Sequence, residues 1–190
     1  LSWEHPLVVS AMDLVLSGDV GHAALSVVKH EQLSEGQYLL ECLFLIECSA
    51  PLGLQLGRFL PVTPLRVLID QELQDLTEQV LHEELQELVH KIDMEQIAAF
   101  IGGQRQHIND MIALAEQKAE AIMQDNIKQA NAQMLAVSAK AIKRLGALSK
   151  INPGIAPEEV ELLKDQAIAS HGYIQGAKLR LDAVRFIIAS

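Results

Sequence analysis

Residues 37–49 alternate with a period of two: Tyr38, Leu40, Cys42, Phe44, Ile46 and Cys48 fall on one side, Leu39, Glu41, Leu43, Leu45 and Glu47 on the other. Successive strand side chains point to opposite faces, so this pattern predicts a strand. Residues 22–30, with Leu25 and Val27 on one side, predict a second, and the short segment 31–36 between them predicts an antiparallel hairpin. Leu65, Val67 and Ile69 alternate near 64–70, and Val184, Phe186 and Ile188 near 182–189, so both ends of the chain are expected to share one sheet. Pro51, Gly53, Gly57, Pro61 and Pro64 punctuate the stretch between, which can hold at most a short edge strand near 54–60. Ahead of the strands, Pro6 and Gly18 bracket an N-terminal helix carrying Leu7, Val8, Ala11, Met12, Leu14 and Val15, with Trp3 stapled onto it.

The remaining chain has a helical period. Leu73, Leu76, Val80, Leu81, Leu85, Leu88 and Ile92 recur at threes and fours and predict a helix over 72–92; Asp93 with Gln96 predicts a capping box for the next. Gly102-Gly103 is the weak point, and from 104 to 145 there is neither Gly nor Pro. Ile108, Ile112, Ala115, Ala119 and Ile122, then Ile127, Ala130, Met134, Val137 and Ala141, supply the stripe of one long helix. Such a helix spans roughly 63 Å, against a radius of gyration of about 16 Å for a domain of this length, so it is expected to project beyond the sheet. Asn152-Pro153-Gly154 predicts a turn; Pro157, Glu158 and Glu159 start a returning helix striped by Val160, Leu163, Ala167, Ser170 and Ile174. The expected fold is α+β: a small antiparallel sheet (strands near 22–30, 37–49, 64–70 and 182–189), an N-terminal helix and a protruding helical hairpin (about 93–148 and 157–175). Residues 1–71 with 179–190 would form a sheet subdomain and 72–178 a helical arm. The returning helix is shorter, so the seam Ala119, Ile122, Met123, Ile127 and Ala130 needs further cover, from the 72–92 helix, another domain or a second copy.

Charge sharpens this picture. Residues 1–95 carry 4 Lys+Arg and 16 Asp+Glu, and residues 96–190 carry 11 and 9, within a net charge of −10. Nine carboxylates lie between Asp70 and Glu95 against Lys91 alone. The plain reading is a solvated helix face, and the sharper one a docking surface for a basic partner, with Glu78, Glu83, Glu84 and Glu87 as its candidates. Lys140, Lys143, Arg144 and Lys150 gather near the end of the long helix, where they complement its dipole or, alternatively, contact phosphate, and Lys140, Lys143 and Arg144 are also candidate docking residues. Arg58, Arg66, Lys178, Arg180 and Arg185 are further surface or docking cations. Acid in excess argues against the domain as a whole gripping nucleic acid. At 190 residues and 49% hydrophobic the chain is globular, its apolar runs fall short of the ~20 residues a membrane span requires, and no secretion signal opens it. Cys42 and Cys48, roughly 20 Å apart on a strand, cannot bond each other and read as core hydrophobes in a reducing compartment.

Catalytic chemistry is missing. No Gly is followed by Lys, as a phosphate-binding loop requires, and no Asp is followed by Glu; GxSxG and CxxC are absent. The run His82-Glu83-Glu84-Leu85-Gln86 approaches a zinc-protease helix but has Gln where the second imidazole belongs. His90 stands about 12 Å further along such a helix. His5, His22, His30, His107 and His171 are scattered. No catalytic, cofactor-binding or metal-binding residue is expected.

Trp3-Glu4-His5-Pro6, Met12-Asp13-Leu14-Val15-Leu16-Ser17-Gly18-Asp19, Arg58-Phe59-Leu60-Pro61-Val62-Thr63-Pro64-Leu65-Arg66, Asn152-Pro153 and Arg180-Leu181-Asp182-Ala183-Val184-Arg185 follow in an order and spacing that resemble the C-terminal region of the RapA family. These are bacterial SWI/SNF-type ATPases that ride on RNA polymerase and promote its recycling. The resemblance covers essentially the whole chain, densest at its ends and loosest over 72–148. It implies a single C-terminal domain of a larger, ATP-dependent, DNA-binding motor whose ATP and magnesium sit in upstream lobes. The implied partners are the RNA polymerase core and those lobes, the implied compartment is the cytoplasm, and no catalytic residue carries over. A homodimer through the Ala/Met seam and a weak nucleic-acid-binding module are the alternatives.

Overall fold

The computed structural model describes residues 22–29, 33–85 and 103–189. The N-terminal helix with its Trp3 staple, the Asp93 capping box, residues 86–102 and Glu87 therefore lie outside the described residues.

Strands β1 (His22–Val28), β2 (Tyr38–Glu47), β3 (Thr63–Asp70) and β4 (Lys178–Ala189) form one four-stranded sheet in the order β1-β4-β2-β3. The expected β1–β2 hairpin does not form. β1 runs parallel to β4, from His22 opposite Ala183 to Val28 opposite Ala189. The sheet is therefore mixed. β4 meets β2 in the antiparallel sense: the Ala189 N–H donates to the Gln37 carbonyl at 2.8 Å, and the Arg185 guanidinium reaches Glu41. On the other side of β2, the Gln71 N–H just beyond β3 donates to the Tyr38 carbonyl at 3.1 Å.

The reason lies in burial. β2 is buried on both faces from Tyr38 to Cys42 and needs a neighbour on each side. β4 ends in Phe186, Ile187 and Ala189, all buried, and inserts between β1 and β2. Crossing one intervening strand means spanning about 10 Å, within reach of the residues that join β1 to β2. Just before β2, the Gly36 N–H donates to the Ala189 carbonyl at the end of β4, at 2.9 Å. Gly36 sits at φ +84°, in the left-handed region that only glycine enters freely.

The two faces of β2 bury against different things. Leu39 packs with Val28, Leu68 and Ile187 of the sheet and with Val80 and Leu85 of the segment after β3. That segment is not the expected helix. Asp70 Oδ1 accepts from the Glu72 and Gln74 N–H groups, and Asp75 Oδ1 from the Thr77 N–H and hydroxyl. The Leu76 N–H donates to the Leu68 carbonyl, Asp75 bridges to Ile69, and a 3-10 turn covers His82–Glu84. Aspartates that capture nearby backbone amides compete with helix formation. The three-and-four spacing of leucines survives as a loop that lays Leu76, Val80 and Leu85 on the sheet and leaves Leu81 exposed. On the opposite face the Tyr38 ring stacks on Phe186, with centroids 5.5 Å apart, and meets the His107 ring edge-on. His107 Nε2 donates to the Gln71 carbonyl at 2.8 Å.

Residues 51–60 form two 3-10 turns, Leu52–Leu54 and Leu56–Arg58, where an edge strand was the most expected; Leu56 and Leu60 are buried. Helix α1 (Arg105–Ser149) spans 45 residues as the absence of Gly and Pro predicts. Its buried seam is Ile108, Met111, Ala115, Ala119, Met123, Ile127, Ala130 and Met134. Met111 and Met123 take the places expected of Ile112 and Ile122: steps of 11 residues recur along the seam, close to a straight helix's own period, where a seven-residue repeat would drift. Helix α2 (Pro157–Gln175) starts at the predicted proline, with Glu158 and Glu159 in its first turn and Ser170 and Ile174 buried. The turn before it is held by the Asn152 side chain, whose Oδ1 accepts from the Gly154 N–H at 3.0 Å.

The chain divides into two compact units. Unit 1 comprises Leu1–Leu45, Pro64–Glu120 and Arg180–Ser190, and unit 2 comprises Ile46–Thr63 and Ala121–Leu179. Unit 1 holds the core described around β2. Unit 2 holds α1 from Ala121 onward paired with α2, pinned by His171 Nδ1 donating to Asn131 Oδ1 at 2.9 Å, together with the 3-10 turns and the end of β2, where the Cys48 thiol donates to the Tyr173 carbonyl at 3.3 Å.

Candidate functional site

The densest polar cluster was not expected from sequence. Glu41 stands on the Leu39 face of β2, 7% exposed. Arg66 of β3 donates from Nε to Glu41 Oε1 at 2.5 Å, and Arg185 of β4 from Nε to Oε2 at 2.7 Å. His82 donates from Nδ1 to Oε1 at 2.9 Å. Burial pushes the Glu41 carboxyl up, but hydrogen bonds from His82 and Arg66 and the charges of Arg185 and Arg66 outweigh it, so the group ends below its ordinary range. Arg66 also donates from Nη1 to the carbonyls of Thr77 and Val80, at 3.2 and 2.8 Å. The cluster clamps the 71–85 loop to the sheet across three strands. The signal was present in the sequence as a Glu on an otherwise apolar strand face, but its partners lie 25, 41 and 144 residues away.

The sequence-predicted docking residues fall into two groups. Glu78 and Glu83 are exposed on the 71–85 loop, not on a helix face. Glu84 closes the 3-10 turn His82–Glu84. That turn also removes the helical premise of the zinc-protease comparison, and the described residues contain no group of three or more His, Cys, Asp or Glu able to hold a metal. Lys140, Lys143 and Arg144 are exposed on α1, at spacings of three and four that place them side by side. None of the three enters a described ion pair, whereas Lys128 pairs with Asp125 at 3.0 Å and Lys164 with Glu161 at 2.7 Å. The α1 seam is covered within the chain: Ala119, Met123, Ile127 and Ala130 are all buried, and of the residues expected to need a partner only Ile122 remains 43% exposed.

Both cysteines are free thiols. Cys42 is buried; its surroundings, and secondarily the charges of Glu116 and Glu41, push its pKa up to about 12. It is a core side chain and no nucleophile. No helix among the described residues is long and apolar enough to cross a membrane.

What the geometry offers is surface, with a buried clamp stabilising one part of it and unpaired cations on another. Comparison with known proteins agrees in scope. The sequence profile of the RNA polymerase recycling family C-terminal region matches residues 1–189. The chain is similar to the RNA polymerase-associated protein RapA of Pasteurella multocida (strain Pm70), at 39% identity over 193 residues. It is also similar to those of Stutzerimonas stutzeri (strain A1501), at 36% over 189 residues, and Pseudomonas putida (strain GB-1), at 35% over 189 residues. Each alignment takes in 100% of this chain and 20% of the relative, so the chain spans about a fifth of the length of the curated relatives it matches. With a match that runs from its first residue to its last but one, the chain belongs to the RNA polymerase recycling family, as that family's C-terminal region.

Proposed function

We propose that this chain is a non-catalytic interaction and regulatory domain of an RNA polymerase-associated, ATP-dependent DNA translocase that promotes polymerase recycling. The observation that carries the reading is the end-to-end family match. ATP, magnesium and the main DNA contact belong to the upstream lobes of the parent protein, and work on polymerase puts the protein in the cytoplasm. The domain's task is to hold the polymerase core, its own motor lobes, or both. Its candidate contacts are Glu78, Glu83, Glu84 and Glu87 toward basic partners and Lys140, Lys143 and Arg144 toward acidic ones.

The test is direct: the purified chain is titrated against RNA polymerase core and against the motor lobes at low salt. A measurable complex with either supports the reading, and association with neither overturns it. The competing reading, a dimerisation arm, has lost most of its surface to intramolecular packing of Met123, Ile127 and Ala130. Light scattering over a concentration series separates the two, since a strict monomer removes the dimer.

A further inference from the structure

Unit 2 carries an open cavity of about 460 Å³ lined by Arg58, Phe59, Gln133, Ala136 and Val137. The Arg58 guanidinium lies over the Phe59 ring, 4.6 Å from its centroid, so a cation caps the apolar wall. Across the cavity Val137 is 47% exposed. A β-branched residue is a weaker helix former than the alanines around it, so helix propensity does not account for it, and its exposed half adds apolar surface to the cavity.

The helix face beyond Val137 is cationic. Lys140 and Arg144 follow at three and seven residues, about 4.5 and 10.5 Å further along the axis. From residue 126 to 157 the sequence has no Asp or Glu, in a chain that carries 25 of them. The positive charge beside the cavity is thus not neutralised from its own helix.

We infer that this groove docks a short acidic segment of RNA polymerase bearing one bulky apolar side chain. The inference rests on the polymerase-docking reading above and names the chemistry of the segment. The apolar side chain enters between Phe59 and Val137, and flanking carboxylates reach Arg58, Lys140 and Arg144. The charge of the site decides between occupants. A long nucleic acid would meet the field of a chain at −10. A peptide of a few residues is screened from charges beyond a Debye length of about 8 Å, so it responds to the cations nearest the groove, Arg58 and Lys140, more than to the total charge of the chain.

The experiment uses the full-length protein that contains this chain, with a photoreactive phenylalanine analogue at Gln133, mixed with RNA polymerase core. Mass spectrometry is expected to find the adduct on an acid-rich polymerase segment; an adduct on a basic segment or on nucleic acid overturns the inference. In parallel, Val137→Glu and the pair Lys140→Glu with Arg144→Glu should each weaken the complex at least about tenfold, while Lys164→Glu on α2 leaves it unchanged. If wild type binds polymerase and the groove variants bind equally well, the groove is wrong and the docking reading stands. If wild type does not bind, the polymerase half of the docking reading falls and the groove with it, and contact with the motor lobes alone is left.

Discussion

Glu41 shows how one side chain can hold a loop in place. Its carboxylate sits on an apolar strand face and is tolerated because two guanidiniums and an imidazole reach it from β3, β4 and the loop. Removing one partner of such a buried set strands the others, a loss of about 3 kcal/mol and, at this chain length, on the order of 10 °C in Tm. Glu41→Gln should therefore melt well below wild type at neutral pH. The pH dependence has a definite sign. The folded carboxyl titrates below its ordinary 4.5, so its contribution is complete above that value and is lost as pH falls through the folded pKa. Melting curves of both proteins from pH 7 to pH 3 should converge at the acid end, and a gap that stays constant would mean the carboxylate's charge is not what stabilises the loop. Asn131 is the opposite case. It is buried between α1 and α2, its Oδ1 accepts from His171, and its Nδ2 has no partner among the described residues. A buried amide donor left unsatisfied costs about 1–3 kcal/mol, while His171 is exposed and can turn to water. Asn131→Leu should hold or raise Tm; a fall of several degrees would show that the amide fixes the hairpin's register.

At the scale of elements, the two long helices carry correctable weaknesses. Gly146 of α1 and Gly172 of α2 lie inside helices, and a Cβ built at either meets nothing within 4 Å. Replacing an unhindered helical glycine by alanine removes backbone freedom from the unfolded chain and stabilises by about 0.5–1 kcal/mol. Gly146→Ala and Gly172→Ala should each raise Tm by about 2–4 °C, whereas Gly36→Ala should lower it despite open space, because φ there is +84°. The same elements show what sequence could and could not convey. All four strands and both long helices were legible, since period two and a glycine-free run are local signals. The pairing of β1 with β4 was not, because strand order is decided by burial on both faces of β2 and by a C-terminal strand more than a hundred residues away. The loop after β3 was misread for a different reason: its leucines keep a helical period, but Asp70 and Asp75 take the backbone amides that a helix would use. Of the candidate surface, Lys140, Lys143 and Arg144 could be read as a helical cluster from their spacing, while the groove beside them depends on Arg58 and Phe59, some 75 residues earlier in the sequence.

For the whole molecule, the distribution of charge matters more than its total. Unit 1 carries 7 Lys+Arg against 19 Asp+Glu, and unit 2 carries 8 against 6, so all the excess acid belongs to the sheet unit and unit 2 is slightly basic. A surface built this way discriminates between polyanions by size. Each phosphate neutralised releases a counterion, and affinity for duplex DNA falls with salt at a slope of about −0.9 per contact. The cations on the acid-free run that pair with nothing described are Lys140, Lys143, Arg144 and Lys150, enough for at most four contacts. The isolated chain should therefore leave a duplex of about 30 base pairs unshifted near 0.15 M salt, and any complex at roughly 0.02 M should weaken with a slope no steeper than about −4. Fluorescence anisotropy across that salt range measures both quantities. Tight binding at the upper end, or a slope near −8, would require phosphate contacts well beyond this cluster. It would make the domain a DNA-gripping element in its own right, against the protein-docking role that its charge distribution favours.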